Sequence, residues 1–247
     1  MGMIGKSLTY SRHLAFRLAV LIRSTWVVQS DVRARVLAVY KQIKRLLVVR
    51  RFAGSTHYWE TRYRDGGNSG AGSYGRLADF KARFLNDFVD QNGIRSVIEF
   101  GCGDGNQLML ARYPRYIGLD VSYTAIDRCR NLYKEDSTKS FLLLDSYAGE
   151  TADLSLSLDV IFHLVEDEVF EAHMNFLFDA ARRSVIVYSS NVDRSNSAAH
   201  VRHRRFTDWV AVRRPEWVCR SVIENEFPLQ SDPQQESFAD FYVFQRA

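Results

Sequence analysis

Ser96-Val97-Ile98-Glu99-Phe100-Gly101-Cys102-Gly103-Asp104-Gly105-Asn106 decides how the rest of the chain is read. Ser96 to Phe100 is a short apolar run around a single acid, the pattern of a buried strand. It runs straight into glycines at 101, 103 and 105, which permit a tight turn and let a ligand approach bare backbone. A helix is expected over Asn106 to Arg112, and the free N–H groups at its start would attract an anionic group. A strand, a glycine turn and a helix in that order make a cofactor site.

Downstream of this turn, strands and helices alternate. Strand patterns occupy Tyr116 to Asp120, Phe141 to Leu144, Leu154 to Leu158 and Ser184 to Tyr188. Helical patterns occupy Tyr123 to Tyr133, with Ser122 as N-cap, and Glu166 to Ala181. Strands separated by helices form parallel βαβ units, so the fold class is α/β, a doubly wound, Rossmann-like sheet. After a helix at Phe206 to Val212, the strands Trp217 to Ile223 and Phe238 to Phe244 follow one another with only a loop between them. They are expected to pair antiparallel, completing a mostly parallel seven-stranded sheet with an antiparallel last strand.

Upstream, Leu77, Phe80, Phe84 and Phe88 mark an amphipathic helix stopped by Asn92-Gly93. Before it, residues 66 to 75 read GGNSGAGSYG, five of the fourteen glycines in ten residues, so this is a loop. Its aromatic neighbours Tyr58, Trp59, Tyr63 and Tyr74 distinguish it from a plain Gly/Ser linker and suggest a loop that folds over a ligand.

The first 52 residues carry eleven Lys or Arg and one acid, Asp31, a net +10, which leaves −6 for residues 53 to 247. The chain therefore divides into a basic arm, 1 to 52, and one domain, 53 to 247. In the arm, Leu14, Leu18, Leu21, Ile22 and Trp26, then Val36, Tyr40, Ile43 and Leu47, recur at helical spacing. Two amphipathic helices with basic faces would suit either an anionic membrane surface, contacted through residues 12 to 50, or docking on the domain; an organellar transit segment is a third reading. Arg17 and Arg23 interrupt the apolar run, which is too short to span a bilayer. No secretory cleavage pattern follows it, and Lys6 stands where a myristoylation motif wants Ser or Thr. Three cysteines make no disulfide framework, and a reducing, cytoplasmic setting fits, at the inner face of the membrane if the arm lies on lipid. His200 and His203 have the spacing of two metal ligands but lack a nearby acidic or thiol partner, so no metal is expected.

Spacing separates two cofactor classes. The dinucleotide fingerprint G-x-G-x-x-G needs a glycine at 106, where Asn106 stands. Glu99, just before the turn, suits a ligand bearing an ammonium group better than one bearing phosphates. Asp120, at the end of the next strand and 21 residues beyond Glu99, is placed to accept the ribose hydroxyls of a nucleoside.

The acid followed by G-x-G-x-G resembles the first motif of the class I S-adenosylmethionine-dependent methyltransferase superfamily, and the likeness extends over about residues 55 to 247. The resemblance implies that S-adenosyl-L-methionine is the cofactor. It implies that Gly101, Cys102, Gly103 and Gly105 cradle the methionine moiety above Glu99, that Asp120 with Val121 holds the ribose, and that Asp145 and Ser146 contact the adenine. Leu158 would present backbone to the donor, and Tyr58, Trp59 and Arg62 would cover it. Structural alternatives stand beside these roles: helix capping for Asp104 and Asn106, a turn acid at Asp145, a buried carboxylate at Glu99, and steric fit for Cys102.

Methyl transfer to an oxygen or nitrogen acceptor needs alignment, exclusion of water and, for a hydroxyl, removal of a proton. The candidates for that base are Asp159 and His163, with a packed core histidine as the alternative for His163. His200, His203 and Arg204 lie where superfamily members shape the acceptor pocket, and they would bind a phosphate or carboxylate. A small-molecule or glycan acceptor, such as a sugar hydroxyl of a polysaccharide precursor, is the expected partner. A non-catalytic nucleotide-binding or membrane-attached protein, or an RNA methyltransferase, are the alternatives. The domain's −6 charge argues against a broad nucleic-acid surface, for DNA as for RNA.

Overall fold

The computed structural model describes residues 52 to 195 and 198 to 247. The arm, with its expected helices and lipid contact over residues 12 to 50, lies outside the described residues.

The domain's strands are β1 (Val97–Phe100), β2 (Tyr116–Asp120), β3 (Lys139–Leu143), β4 (Ala152–Leu158), β5 (Ala181–Ser189), β8 (Trp217–Ile223) and β9 (Asp240–Arg246). They form one sheet in the order β3-β2-β1-β4-β5-β9-β8. A separate two-stranded ladder, β6 (Arg194–Ser195) with β7 (Arg202–His203), was not foreseen. The first five strands run parallel, while β9 is antiparallel to both β5 and β8. All four residues of β1 are buried, because the strand is flanked by β2 and β4 and covered on both faces. On one face Val97 packs with Phe80, Leu85, Ile126 and Cys129. On the other, Ile98 and Phe100 pack with Met174, Leu177 and Phe178.

The helices are α1 (Ser55–Arg64), α2 (Gly75–Gln91), α3 (Tyr123–Leu132), α4 (Asp167–Asp179) and α5 (Phe206–Arg213). Ser122 caps α3 as expected, its hydroxyl accepting from the Ala125 N–H at 3.1 Å. The expected helix over Asn106 to Arg112 is instead a single 3₁₀ turn, Gln107–Leu110. Its periodicity misleads because only Leu108 is buried, with Met109 and Leu110 exposed. Asn86 takes the place of helical bonding, its side chain donating to the Leu110 carbonyl and accepting from the Arg112 N–H at 2.9 and 2.8 Å. Pro114 then favours an extended Tyr113 and leads the chain into β2. Strand order reverses between β1 and β4, so a crevice opens at the carboxyl ends of β1, β2 and β4.

Candidate functional site

That crevice holds a cavity of about 380 Å³. Its floor is the glycine turn. Gly101 and Gly103 have φ of 92° and 60°, in the left-handed region that glycine tolerates. A Cβ at Gly101 would lie 2.4 Å from Val160 Cγ2, and one at Gly103 would lie 2.3 Å from Ser69 Oγ. The turn is therefore packed between the β4 end and the glycine-rich segment. Asp104 fastens that segment. Its Oδ2 accepts from the Ser69 N–H and from the Tyr74 hydroxyl, each at 2.9 Å, and its Oδ1 accepts from the Asn106 N–H.

Helix α1 roofs the cavity with Trp59 and Tyr63. It is held at its start by Glu166, which accepts from the Ser55 N–H and hydroxyl at 2.8 and 2.6 Å. In the middle, Glu60 accepts from the hydroxyls of Ser122 and Thr124 at 2.6 and 2.7 Å. At the far end Arg128 donates to the carbonyls of Tyr63 and Gly67.

Two buried carboxylates face the cavity. Asp120 accepts from the backbone N–H of Gly103 at 3.0 Å and of Ser122 at 2.9 Å. Burial nevertheless pushes its pKa up to about 6. Glu99 accepts from the Tyr116 hydroxyl at 2.6 Å, and burial pushes it up to about 7. A third carboxylate, Asp159, stands just past β4 with a φ of 59°, and its Oδ2 lies 2.6 Å from Nζ of Lys81, a lysine only 1% exposed. His163 Nδ1 lies 3.0 Å from the His200 carbonyl, which can only accept, so the proton sits on Nδ1 and Nε2 carries the lone pair. Burial lowers the His163 pKa to about 4 and keeps the ring neutral near pH 7.

Of the residues singled out from sequence, Trp59, Glu99, Gly101, Cys102 and Gly103 line the cavity, as do Asp120, Val121, Leu158, Asp159 and His163. The others lie outside its lining. Tyr58 stacks on His200 with ring centroids 4.3 Å apart, and Arg62 donates to the Asn68 carbonyl at 2.6 Å. Gly105 gives its carbonyl to the Tyr133 hydroxyl at 2.7 Å. Asp145 and Ser146 are exposed and bonded to each other, while their neighbour Leu144 faces the cavity. His203 is buried against the Ser190 hydroxyl, and Arg204 is paired with Asp167. The buried Cys102 thiol is raised well above the ordinary range by the neighbouring Cys129 thiol and by burial, which leaves it a poor nucleophile.

Lys81, Gln107 and His173 also line the cavity and were not singled out. Lys81 alone carried a signal, as a lysine one turn beyond Leu77 within the apolar stripe of α2. Among the described residues no group of three or more His, Cys, Asp or Glu is placed to hold a metal ion, and no helix is long and apolar enough to cross a membrane.

Four carboxylates, the exposed Glu168 joining Glu99, Asp120 and Asp159, against the one ammonium of Lys81 suit a ligand that brings positive charge. The 3₁₀ turn after Gly105 supplies no helix N-terminus, so a pyrophosphate would find little to bind. The cavity thus fits a nucleoside with a cationic arm. Residues 98–182 match the family model described as a methyltransferase domain. The fold is shared with the magnesium protoporphyrin IX methyltransferase ChlM from Synechocystis PCC 6803 bound to SAH, at 16% identity over 81% of this chain and 99% of that one, TM-score 0.55. It is shared too with the N-methyltransferase NodS from Bradyrhizobium japonicum WM9 bound to SAH, at 15% identity over 78% and 98%, TM-score 0.57. A third likeness is the methyltransferase domain of bacterial CtHen1-C, at 19% identity over 67% and 96%, TM-score 0.53. No curated protein matches at the level of sequence. The matched methyltransferase domain and the shared fold are consistent with the class I S-adenosylmethionine-dependent methyltransferase superfamily and with S-adenosylmethionine as the cofactor.

Proposed function

We propose that the chain methylates an oxygen or nitrogen of a small or glycan-type acceptor, such as a sugar hydroxyl, that enters beside Trp59, with His163 taking the acceptor's proton. When bound, the cofactor supplies a methyl group already activated on a sulfonium. The reading rests on His163, whose Nδ1 is committed to the His200 carbonyl while Nε2 has no partner among the described residues. Asp159, the other candidate, already has one carboxylate oxygen on Lys81.

A neutral imidazole with a pKa of about 4 is a weak base. It suffices when the acceptor hydroxyl loses its proton late, since a hydroxyl oxygen that has gained a methyl while keeping its proton is a strong acid. The proton then passes from oxygen to Nε2, and burial of the ring drives it on to solvent. Trp59, edge-on to His163 with ring centroids 4.9 Å apart, offers an apolar wall against which a sugar or other ring would align. Asp120 would hold the ribose, as its burial beside the glycine turn favours. An N-acceptor fits the same geometry, and one structural neighbour is an N-methyltransferase. The basic arm, whose charge would hold the enzyme at an anionic membrane, supports an acceptor presented on lipid.

The test is methyl incorporation from labelled S-adenosylmethionine into a panel of glycan precursors, phenols and amines. His163→Gln is expected to slow transfer roughly hundredfold with SAH affinity unchanged. Unchanged transfer in that variant would remove His163 from the reaction.

A further inference from the structure

The sheet has a second opening at its other end. Because β1 to β5 run parallel, their amino ends share one edge, opposite the crevice. A groove of about 460 Å³ lies along that edge. Val97 lines the groove and Gly101 lines the crevice, four residues further along the chain, about 13 Å at the rise of a parallel strand. A ligand in one therefore leaves the other open.

The groove's chemistry is unlike that of the crevice. Arg115, Lys139 and Arg182 line it and no carboxylate does, in a domain whose net charge is −6. Two of these cations are fixed from behind. Arg182 donates to the Ser96 hydroxyl at 2.9 Å, to Asp153 Oδ1 at 3.0 Å and to the Thr151 carbonyl at 3.2 Å, and Lys139 pairs with Asp136. Arg115, just before β2, is exposed and forms no ion pair among the described residues, so its guanidinium is available to fork onto a phosphate. Ser137, Thr138 and Ser140 bring hydroxyls to the same groove. Its single aromatic, Tyr116, is buried with its hydroxyl on Glu99, which leaves no ring face for a nucleobase to stack on.

Cations beside a hydroxyl-rich wall match a ligand that carries phosphate and hydroxyls together. We propose that this groove binds a sugar phosphate, with Arg115 and Lys139 on the phosphate oxygens and the serine and threonine hydroxyls on the ring, as a second site filled independently of the methyl donor's. A lipid headgroup shares the phosphate but not the ring.

Calorimetry on the full chain tests it with glucose 1-phosphate, inorganic phosphate, and glycerol 3-phosphate as the soluble counterpart of a lipid headgroup. Glucose 1-phosphate is expected to bind tightest, with the same affinity whether or not S-adenosylhomocysteine is present. Arg115→Gln and Lys139→Gln are each expected to weaken it roughly tenfold. Arg220→Gln removes the same charge from β8, two strands beyond β5 in the sheet, and is expected to leave it unchanged. Arg115→Gln alters only an exposed side chain, so the test survives if Lys139→Gln does not fold. Absence of glucose 1-phosphate binding, competition with S-adenosylhomocysteine, or equal weakening by Arg220→Gln would overturn the site. Equal affinity for the three probes would reduce it to bare charge, and tighter binding of glycerol 3-phosphate would assign the groove to a headgroup; either result overturns the sugar phosphate.

Discussion

Ser69 and Asp104 are bonded to each other twice: the Ser69 N–H donates to Asp104 Oδ2, and the Asp104 N–H donates to Ser69 Oγ, both at 2.9 Å. One residue belongs to the glycine-rich segment and the other to the turn after β1. The reciprocal pair therefore sews the loop over the cavity to the cavity's floor. Asn106 adds a stitch, its amide donating to the Ser73 carbonyl at 2.7 Å.

Asp104→Ala removes the acceptor for Ser69, Tyr74 and Asn106 together. The expected result is faster amide exchange across residues 66 to 75 and weaker S-adenosylhomocysteine binding, with the strands of the sheet still protected. Exchange unchanged in that segment would mean the loop is held by other contacts.

The carboxylates of Asp120 and Glu99 make the cavity sensitive to pH. Burial raises their pKa values to about 6 and about 7. In the unfolded chain both titrate near roughly 4. The folded state thus binds more protons between those limits, and stability of the ligand-free protein falls as pH rises through the window. A ligand with an ammonium group favours the ionised acids, so affinity for S-adenosylhomocysteine is expected to rise from pH 5 to pH 8 with protons released on binding. Calorimetry in buffers of different ionisation enthalpy measures that release. In Asp120→Asn the part of the release near pH 6 should vanish, and affinity should fall by about 1.5 to 3 kcal/mol for each hydrogen bond lost to the charged group.

Gly72 leaves no room for a side chain, since a Cβ there would sit 2.5 Å from Asp159 Oδ2. Gly72→Ala is expected to push Asp159 off Lys81 or lift the loop, costing about 1 to 3 kcal/mol as other overpacked substitutions do. Thermal melts of Gly72→Ala, Asp159→Ala and the double variant check it. The alanine at 72 should cost less once the Asp159 carboxylate is gone, and full additivity would show that the two residues do not meet.

For the arm, residues 12 to 50, charge sets the expectation. With a net +10 over the first 52 residues, the full chain should sediment with anionic vesicles at low salt and release as ionic strength rises past 0.1 M, where the Debye length is about 10 Å. A chain starting at residue 53 should stay in the supernatant. An intact chain that ignores such vesicles, combined with a lower Tm on truncation, would assign the arm to docking.

Much of the sheet was legible because strand runs such as SVIEF and YIGLD are apolar, short and bounded by turn residues. The glycine turn and the acid at 120 were readable for the same reason: each sits at a strand end, where local spacing fixes position. The Asn106 to Arg112 segment was misread because helical periodicity is a local signal, whereas the competing bonds come from Asn86 on another element. The exposed Asp145 illustrates the converse. An acid after a strand is easy to find, yet which neighbour faces inward depends on how the 3₁₀ turn Leu144–Ser146 rotates the chain, and here it turns Leu144 in. Lys81 escaped because its meaning depends on Asp159, 78 residues away.

Helix α1 is secured at its start by Glu166, in its middle by Glu60 and at its far end by Arg128. Loosening any one point leaves two others, so full opening of the roof requires all three sets of bonds to be broken. Spent donor is accordingly expected to leave more slowly than the methyl group moves, making the exchange step the clock of the catalytic cycle. An enzyme built this way would deliver its first product in a rapid burst and settle to a slower steady pace.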